Sequence, residues 1–344
     1  MKPNNFITCL CTGNIATEQG MCIEETTKNH QTIHTDVLDS PEVRQARATG
    51  APIVALESTV ITHGLPQGEN LKLARAMEKT VIENGAIPAT VAVIDGRIRL
   101  GITNEELEAL AVHPNPRKVS IRDFGYTLSK GISGGTTVAA TAFVAHKQGV
   151  RVFATGGIGG VHRQAPFDVS TDLNQIAKTP LLVVCAGMKA ILDLPSTMEY
   201  LETQGVPVIG YQTDELPAFY SRSSGIRLNQ RADSPLEVAR IAYAHWSLGF
   251  RQGIVLTVPV PEKDAIPREE MEGWIDDALI EAQHAGILGN AVTPFLLDKV
   301  SQLSGGRSMH SNIALLLNNA IVASQVAREL NTLLRHEESQ LQLS

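Results

Sequence analysis

The sequence predicts an α/β protein with a three-layer α/β/α architecture, a mainly parallel central sheet and a helical C-terminal section. Short apolar runs of strand length alternate along the chain with segments of helical spacing, as in proteins where a helix follows each parallel strand. The apolar runs are continuous rather than alternating, which is typical of strands buried on both faces of a sheet. From residue 268 onward the chain has helical spacing almost throughout.

The positions of the predicted strands indicate which loops carry functional residues. They cover residues 52–58, 89–94, 98–100, 151–155, 181–185, 207–210 and 254–258. Asp95 and Gly96 form a tight turn between the second and third strands. Because ligands bind beyond the carboxyl ends of the strands in sheets of this kind, we expect functional residues in the loops that follow strands.

The predicted helices are defined by apolar spacing and by capping residues. Ser40 and Ser170 are typical N-caps, Thr103 and Glu106 have the spacing of a capping box, and Gly85 is a typical C-cap. Helices are predicted from residue 41, over 71–84, from residue 103, and over 136–147, 170–177, 196–203, 235–247, 268–284, 294–303 and 312–335.

The length fits one large domain or two smaller ones, and the composition favours a folded chain. Of the 344 residues, 43% are hydrophobic and 19% are charged, so the chain can bury a sizeable core. We expect a single domain over residues 39–338, between a poorly ordered extension at 1–38 and a tail at 339–344. The net charge of −7, without a run of Lys or Arg, argues against a nucleic-acid partner, although a mononucleotide needs only a few local donors.

The cysteines and the apolar runs indicate a cytoplasmic protein. Cys9, Cys11, Cys22 and Cys185 give no disulfide framework, which favours a reducing compartment. No apolar run is long enough to cross a membrane, and the N-terminus lacks the pattern of a secretory signal.

Two predicted strand ends carry groups that suit catalysis. Glu57 closes an apolar strand, where burial can raise the pKa of a carboxyl and make it a general acid; a carboxylate that only hydrogen-bonds the next loop is the equal alternative. Lys189 follows the strand at 181–185, and a lysine in apolar surroundings can form a Schiff base. A lysine that extends to solvent is the commoner case.

A glycine-rich segment, TGGIGGVHR at 155–163, follows the strand at 151–155. Its four glycines let backbone N–H groups approach an anion, and His162 and Arg163 follow at once, so the segment favours a phosphate or sugar site over a plain turn. It is neither a Walker loop nor a dinucleotide-binding fingerprint, because the order of residues differs from both motifs.

Two carboxylates flank a pair of hydroxyl residues a little further on. Asp168 and Asp172, with Ser170 and Thr171 between them, have the spacing to hold a hard divalent cation. Simple helix capping by Ser170, with an aspartate favoured by the helix dipole, is the commoner explanation.

Three further candidates are weaker. Lys118 either binds a phosphate or is an exposed lysine, and the latter is more usual. Val138 lies at a predicted helix N-terminus, which is a natural anion site. Asn312 is either the N-cap of the last predicted helix or an amide that binds a base.

Several motifs occur together in one order. The chain combines ALEST at 55–59, ATGGIGGVHR at 154–163 and VCAGMK at 184–189, a very specific combination. Further stretches of the pattern lie at 85–96, 117–123, 134–141, 167–173, 194–225, 293–297 and 311–320. Together they resemble the pseudouridine-5'-phosphate glycosidase family, which also includes indigoidine synthase A-like proteins. The resemblance covers about residues 40–335.

The resemblance implies an enzyme that reversibly cleaves the C-glycosidic bond of pseudouridine 5'-phosphate to uracil and ribose 5-phosphate. It implies that Lys189 forms a Schiff base with C1' of the ring-opened ribose, that Glu57 protonates the departing uracil carbon, and that Asp168 binds one manganese ion per subunit, largely through water. It implies homotrimers with sites near subunit contacts. The implied substrate-binding residues are Lys118, Val138, Ser170, Thr171, Asp172 and Asn312.

One departure from the family pattern and three alternatives accompany this interpretation. The N-terminal extension is longer than the family core needs. The loop between His162 and Asp168, which varies in the family, is short. The alternatives are an enzyme acting on a related C-nucleoside or C-glycoside, a phosphosugar-binding protein without catalysis, and a Schiff-base aldolase of simple sugars.

Overall fold

The computed structural model describes residues 33–163, 165–287 and 292–341 of the chain. Residues 1–32, most of the predicted extension, lie outside the described residues. Val37 and Leu38, the last residues of that predicted extension, belong to an edge strand and pair with Ile98 and Arg99. From Ile33 onward the chain forms one compact unit.

The strands are short, and most are continuously buried, as the apolar runs predict. In chain order they are β1 (Val37–Asp39), β2 (Ile53–Leu56), β3 (Ile87–Ile94), β4 (Arg97–Leu100), β5 (Arg117–Val119), β6 (Gly134–Thr136), β7 (Val152–Ala154), β8 (Val161–His162), β9 (Ala165–Val169), β10 (Leu182–Cys185), β11 (Leu192–Asp193), β12 (Val208–Tyr211), β13 (Arg231–Ala232) and β14 (Ile254–Thr257).

Among the described residues, eleven strands form the central sheet. Their order is β1-β4-β3-β2-β7-β10-β14-β12-β13, with β6 paired to β3 and β5 paired to β6. The neighbours from β3 through β2, β7, β10, β14 and β12 to β13 are all parallel. Within this sheet, only the described pairs of β3 with β4 and of β3 with β6 are antiparallel. The prediction of a mainly parallel central sheet is therefore confirmed.

The antiparallel return from β3 to β4 uses the predicted two-residue turn. Asp95 and Gly96 have φ values of 48° and 71°. Positive φ at both positions gives the turn type whose twist matches that of the flanking strands, and Asp-Gly is one of its preferred sequences.

The helices follow the strands at short intervals. Their bounds are α1 (Pro41–Thr49), α2 (Glu69–Glu83), α3 (Asn104–Ala111), α4 (Phe124–Ser129), α5 (Val138–Lys147), α6 (Thr171–Ile176), α7 (Leu194–Thr203), α8 (Pro235–Ser247), α9 (Arg268–His284), α10 (Val292–Leu303) and α11 (Arg307–Leu341). A π-turn lies at Val60–Gly64, and 3₁₀ turns lie at Ile121–Asp123 and Glu262–Asp264.

The N-caps confirm several predicted helix starts. The side chain of Ser40 accepts the Val43 N–H, and that of Ser170 accepts the Asp172 N–H. The reciprocal capping box of Thr103 and Glu106 is also present. These short polar side chains satisfy first-turn N–H groups that have no partner within the helix.

Helices α2, α7 and α10 each begin two residues earlier than predicted, and two further predicted helix starts are wrong. Thr136 lies in strand β6 because its N–H donates to Ser58 Oγ at 2.9 Å and its hydroxyl donates to the Val91 carbonyl at 2.7 Å, so α5 begins only at Val138. The last helix begins at Arg307, directly after two glycines of positive φ, rather than at Asn312. Asn312 therefore lies inside the helix and is not its N-cap.

Helices cover the sheet and complete the layered architecture. The long helix α11 contacts β2, β7 and β10 as well as α2 and α8. Helix α5 contacts β2, β3 and α6. The resulting core extends through the central strands, where Phe153 of β7 is fully buried. In the described part of the chain, no helix combines the length and apolarity that a bilayer span requires.

A second, small antiparallel sheet was not predicted. It has the order β11-β8-β9 and joins the glycine-rich segment to the segment that carries Asp168. Two of its strands have only two residues. A strand of that length shows no periodicity in a sequence, so no pattern could indicate it.

We expect Phe153→Ala to lower the free energy of unfolding by about 3–5 kcal/mol, because it leaves a cavity in the middle strand of the sheet. Phe250, which is 51% exposed, offers a matched control. Phe250→Ala should cost less than about 1 kcal/mol. Equilibrium unfolding in guanidinium chloride measures both, and equal losses would contradict the position of Phe153 in the core.

Candidate active site

One cavity collects nearly all of the site residues that the sequence predicts. It has a volume of about 940 Å³. Among the predicted site residues, only Asn312 does not line it. The predicted residues that do are Glu57, Lys118, Val138, Asp168, Ser170, Thr171, Asp172 and Lys189.

The register of the parallel strands brings the main groups together. Leu56 of β2 pairs with Ala154 of β7, and Ala154 pairs with Val184 of β10. The residues that follow these strands therefore leave the sheet at one edge and at nearly one level. Glu57 comes directly after β2, and Lys189 lies in the loop after β10.

Glu57 lies deep in the cavity, although part of its side chain remains accessible. Desolvation raises the pKa of the Glu57 carboxyl above its ordinary value. The ammonium group of Lys189 and a hydrogen bond from the Thr155 hydroxyl, 2.5 Å from Oε1, both oppose that rise in pKa. A carboxyl of raised pKa keeps its proton to higher pH than an ordinary glutamate and is better suited to act as a general acid.

Two lysines face this carboxyl. Burial lowers the pKa of Lys118, and the positive charge of Lys189 lowers it further. In the described chain, no hydrogen bond or ion pair holds the Lys189 ammonium. Its backbone, by contrast, is fixed: Lys189 N donates to the Ile158 carbonyl and Ile158 N donates to the Gly187 carbonyl, both at 3.1 Å. The backbone of Lys189 is thus held in place, while its side-chain amine makes no hydrogen bond or ion pair among the described residues.

Asp172 joins the two loops that frame the cavity. Its Oδ1 accepts the Ala139 N–H at the start of α5, and its Oδ2 accepts the Gly159 N–H of the glycine-rich segment, both at 2.9 Å. The side chain is almost fully buried. Both oxygens are therefore engaged by backbone donors, and Asp172 holds the site together rather than offering a free carboxylate.

The glycines at 157, 159 and 160 are required by close packing. A Cβ at Gly159 would lie 2.8 Å from Asp172 Oδ2 and 2.6 Å from Ser170 Cβ. A Cβ at Gly157 would lie 2.6 Å from the ring of Phe219. These glycines let the segment pass between its neighbours, and Gly159 contributes to the cavity wall. A phosphate or sugar site there stays a prediction.

Asp168 is exposed and lies on β9 at the cavity wall. The described residues contain no cluster of three or more His, Cys, Asp or Glu side chains that would enclose a metal ion. The donor set is one free carboxylate, with the hydroxyl groups of Ser170 and Thr171 on the same wall. This set fits a hard cation that keeps most of its water, as magnesium-like ions do beside a phosphorylated substrate.

His162 and Arg163 have different surroundings. His162 lines the cavity, whereas Arg163 forms an ion pair with Glu272 of α9 at 2.8 Å. Arg163 also donates to the carbonyl groups of Ala190 and Leu192, at 3.0 and 3.2 Å. Arg163 therefore anchors the loop that carries Lys189.

Asn312 lies beside the glycine-rich segment. Its Oδ1 would be 3.5 Å from a Cβ placed on Gly156. Its side chain therefore approaches the segment that follows β7. Base recognition by Asn312 stays a prediction.

The sequence interpretation missed several groups of this site. Thr155 was noted only as part of the glycine-rich motif, yet it hydrogen-bonds Glu57. His63 and Arg122 line the cavity, and burial, followed by the charge of Lys118, lowers the pKa of His63. The available signal for Thr155 was its position directly after an apolar run, the position that Glu57 also has.

Comparisons with known proteins find similar sequences over most of the chain. A family model described as indigoidine synthase A like protein matches residues 42–329. A protein of Solibacter usitatus named pseudouridine-5'-phosphate glycosidase is 53% identical over 84% of this chain and 98% of the relative. A protein of the same name from Caldanaerobacter subterraneus subsp. tengcongensis is 49% identical over 86% of this chain and 96% of the relative.

Solved structures share the fold. The prealnumycin C-glycosynthase AlnA, in complex with ribulose 5-phosphate, has a TM-score of 0.82 and 39% sequence identity, and the match covers 88% of this chain and 99% of that chain. An indigoidine synthase A-like protein from Thermotoga maritima has a TM-score of 0.80 and 34% identity, with the same coverage.

We expect Gly159→Ala to lower the free energy of unfolding by about 1–3 kcal/mol, because the added Cβ forces Ser170 and Asp172 to move. Gly125 of α4 has open space around the corresponding position and serves as the control. Gly125→Ala should be neutral or stabilise by up to about 1 kcal/mol, as expected for alanine in a helix. Thermal unfolding compares the two variants, and a neutral Gly159→Ala would contradict the tight packing.

Proposed function

The chain belongs to the family of indigoidine synthase A-like proteins, and we propose that it reversibly cleaves the C-glycosidic bond of pseudouridine 5'-phosphate to uracil and ribose 5-phosphate. The observation that carries this proposal is the deep carboxyl of Glu57, of raised pKa, facing Lys189 in one cavity. The names of relatives about half identical over most of the chain support the substrate.

The lysine supplies the nucleophile in this proposal. The Lys189 amine bonds to C1' as the C1'–O4' bond breaks, and a proton that the attacking nitrogen loses passes to O4'. The nitrogen lone pair then forms the C1'=N bond while the C1'–C5 bond breaks, and the bonding electrons remain on uracil C5. Water adds to the resulting imine, releases ribose 5-phosphate and restores the free amine.

Glu57 supplies the proton that this cleavage needs. A C-glycosidic bond has no leaving oxygen to protonate, so the usual pair of glycosidase carboxylates would not suffice. Glu57 protonates uracil C5 as that carbon receives the electrons of the broken C1'–C5 bond, while the nitrogen lone pair of Lys189 forms the imine. The raised pKa of Glu57 favours its protonated form more than in an ordinary glutamate.

The substrate phosphate fits the basic side of the cavity. Lys118 lies there, and so does Val138, the first residue of α5. A helix N-terminus with a free N–H group favours an anion. Ser170 and Thr171 add hydroxyl donors on the cavity wall. We assign the phosphate and ribose to these groups and the uracil to the side of Asn312.

Manganese and assembly complete the proposal. Asp168 would hold one divalent cation per subunit, which when bound supplies positive charge beside the phosphorylated substrate. We also propose a homotrimer. Phe167, next to Asp168 and fully exposed in the single chain, supports a subunit contact near the site.

A second candidate function is suggested by the AlnA neighbour, a C-glycosynthase. A related C-nucleoside or C-glycoside would then be the substrate, and uracil binding separates the two candidates. A binding protein without catalysis is less favoured, because both Glu57 and Lys189 line the cavity. A simple-sugar aldolase would show no dependence on uracil.

We expect the purified protein to release uracil from pseudouridine 5'-phosphate in the presence of manganese. Lys189→Ala should abolish release, because the amine that forms the imine is gone. The control is Lys178→Ala, which removes an exposed lysine at the end of α6. Chromatographic detection of uracil measures all three proteins; no release by the wild type, or full release by Lys189→Ala, would contradict the proposal.

We expect Asp168→Asn to weaken manganese binding by about 10-fold or more, since it removes the charge of the single free carboxylate on that wall. Electron paramagnetic resonance of free manganese measures the affinity without an activity assay. Asp277→Asn, at an exposed position of α9, is the matched control. Equal affinity in Asp168→Asn and the wild type would place the cation elsewhere.

A further inference from the structure

Glu57 and Thr155 lie side by side because their strands are parallel neighbours. Leu56 and Ala154 are in register, so the next residue of each strand leaves the sheet at the same level. The Thr155 hydroxyl lies 2.5 Å from Glu57 Oε1 and donates to it. In the described structure, Thr155 is the hydrogen-bond partner of this carboxyl group.

This hydrogen bond makes the two carboxyl oxygens different. A hydroxyl group has one proton to donate, and that of Thr155 is directed to Oε1. A donor at one oxygen favours negative charge there, so the proton of the neutral acid is placed on the other oxygen, Oε2. The side chain that carries Oε2 lines the cavity.

The backbone of Thr155 is held from two sides. Its N–H donates to the Val184 carbonyl of β10 at 3.0 Å. On the other side, Asn319 of α11 donates from Nδ2 to the Thr155 carbonyl at 2.8 Å, with a longer contact to the Gly156 carbonyl. Asn319 is fully buried and its Oδ1 has no partner among the described atoms. Leaving a buried amide oxygen unpaired costs free energy, which the two donated bonds offset.

The charged groups that face Glu57 act on it without contact. They are Lys189 in the loop after β10, Lys118 on β5, and Asp172 on α6. Thr155 differs from them because it is neutral and its geometry is fixed. It can therefore set the orientation of the carboxyl group, which distant charges cannot do.

We propose that Thr155, held by Asn319, is the positioning residue of the proton donor: its hydroxyl fixes Oε1 of Glu57 and leaves Oε2 to deliver the proton. This inference rests on the proposed function, in which Glu57 protonates the uracil carbon. It assigns a role to two residues that do not themselves touch the reacting atoms.

Thr155→Val tests the inference, because valine keeps the shape and removes the donor. The pKa of Glu57 should rise by about one unit, since the lost hydrogen bond favoured the carboxylate. The alkaline limb of the pH profile of kcat/KM should move to higher pH by the same amount, and kcat should fall about 10²-fold as the acid loses its orientation. A role in packing alone would lower the rate without moving the limb.

Two control variants separate the hydroxyl from its surroundings. Thr155→Ser keeps the donor and should keep the pH profile of the wild type. Thr257, the last residue of β14, has another fully buried hydroxyl, which donates to the Ile209 carbonyl of β12. Thr257→Val removes that hydroxyl and should leave the alkaline limb in place. If Thr155→Val does not fold, Thr155→Ala provides the same comparison with a smaller side chain.

A titration of the resting protein separates this inference from the proposed function. The carboxyl carbon of Glu57, labelled with ¹³C and assigned with Glu57→Gln, reports its pKa without turnover. An unchanged pKa and an unmoved limb in an active Thr155→Val would overturn the role of Thr155. Failure of the wild type to release uracil, with the pKa rise still present, would overturn the proposed function and leave Thr155 as the group that orients the carboxyl.

Discussion

The carboxylate of Asp172 accepts two backbone hydrogen bonds from two different loops, and the shape of the cavity depends on it. One bond comes from the first turn of α5 and the other from Gly159. A carboxylate that accepts N–H donors in a buried place makes strong, charge-assisted bonds, so the two loops are held at a fixed separation. Without this connection, the substrate side of the cavity and the glycine-rich wall would be free to move apart.

The glycine-rich wall of the cavity also holds the loop that carries Lys189. The glycine-rich segment exchanges hydrogen bonds with the loop around Lys189, and Arg163 holds that loop to α9. The backbone around Lys189 is therefore held in place, while its side-chain amine makes no hydrogen bond or ion pair among the described residues. In such an arrangement the loops are already ordered when the protein folds, so little conformational entropy is lost when the reacting groups bind substrate.

The fold was largely predictable because buried parallel strands are continuous apolar runs and because Ser40, Thr103 and Ser170 mark helix starts plainly. The start of α11 was not predictable, since the turn at Gly305 and Gly306 resembles any other glycine pair. The small antiparallel sheet was hidden because its strands are too short for periodicity.

The site was predictable in its charged members and less so in its neutral ones. Glu57 and Lys189 stand out after apolar runs, Asp168 stands out as one of two carboxylates that flank hydroxyl residues, and a family resemblance gives all three roles. Thr155 and Asn319 are uncharged, and their contact depends on strand register and on a helix more than 150 residues away along the chain. The sequence allowed Asp172 to be either a cation ligand or an aspartate at a helix start. Only the structure shows that backbone donors occupy both of its carboxylate oxygens.

The central claim is that Lys189, rather than its neighbour Lys118, forms the covalent bond to the sugar. The direct measurement is to incubate the full chain with pseudouridine 5'-phosphate and manganese, add borohydride, and map the modified peptide by mass spectrometry. A reduced ribose-phosphate adduct on Lys189 alone is the expected result. An adduct on Lys118, or no adduct while uracil is released, would contradict the claim.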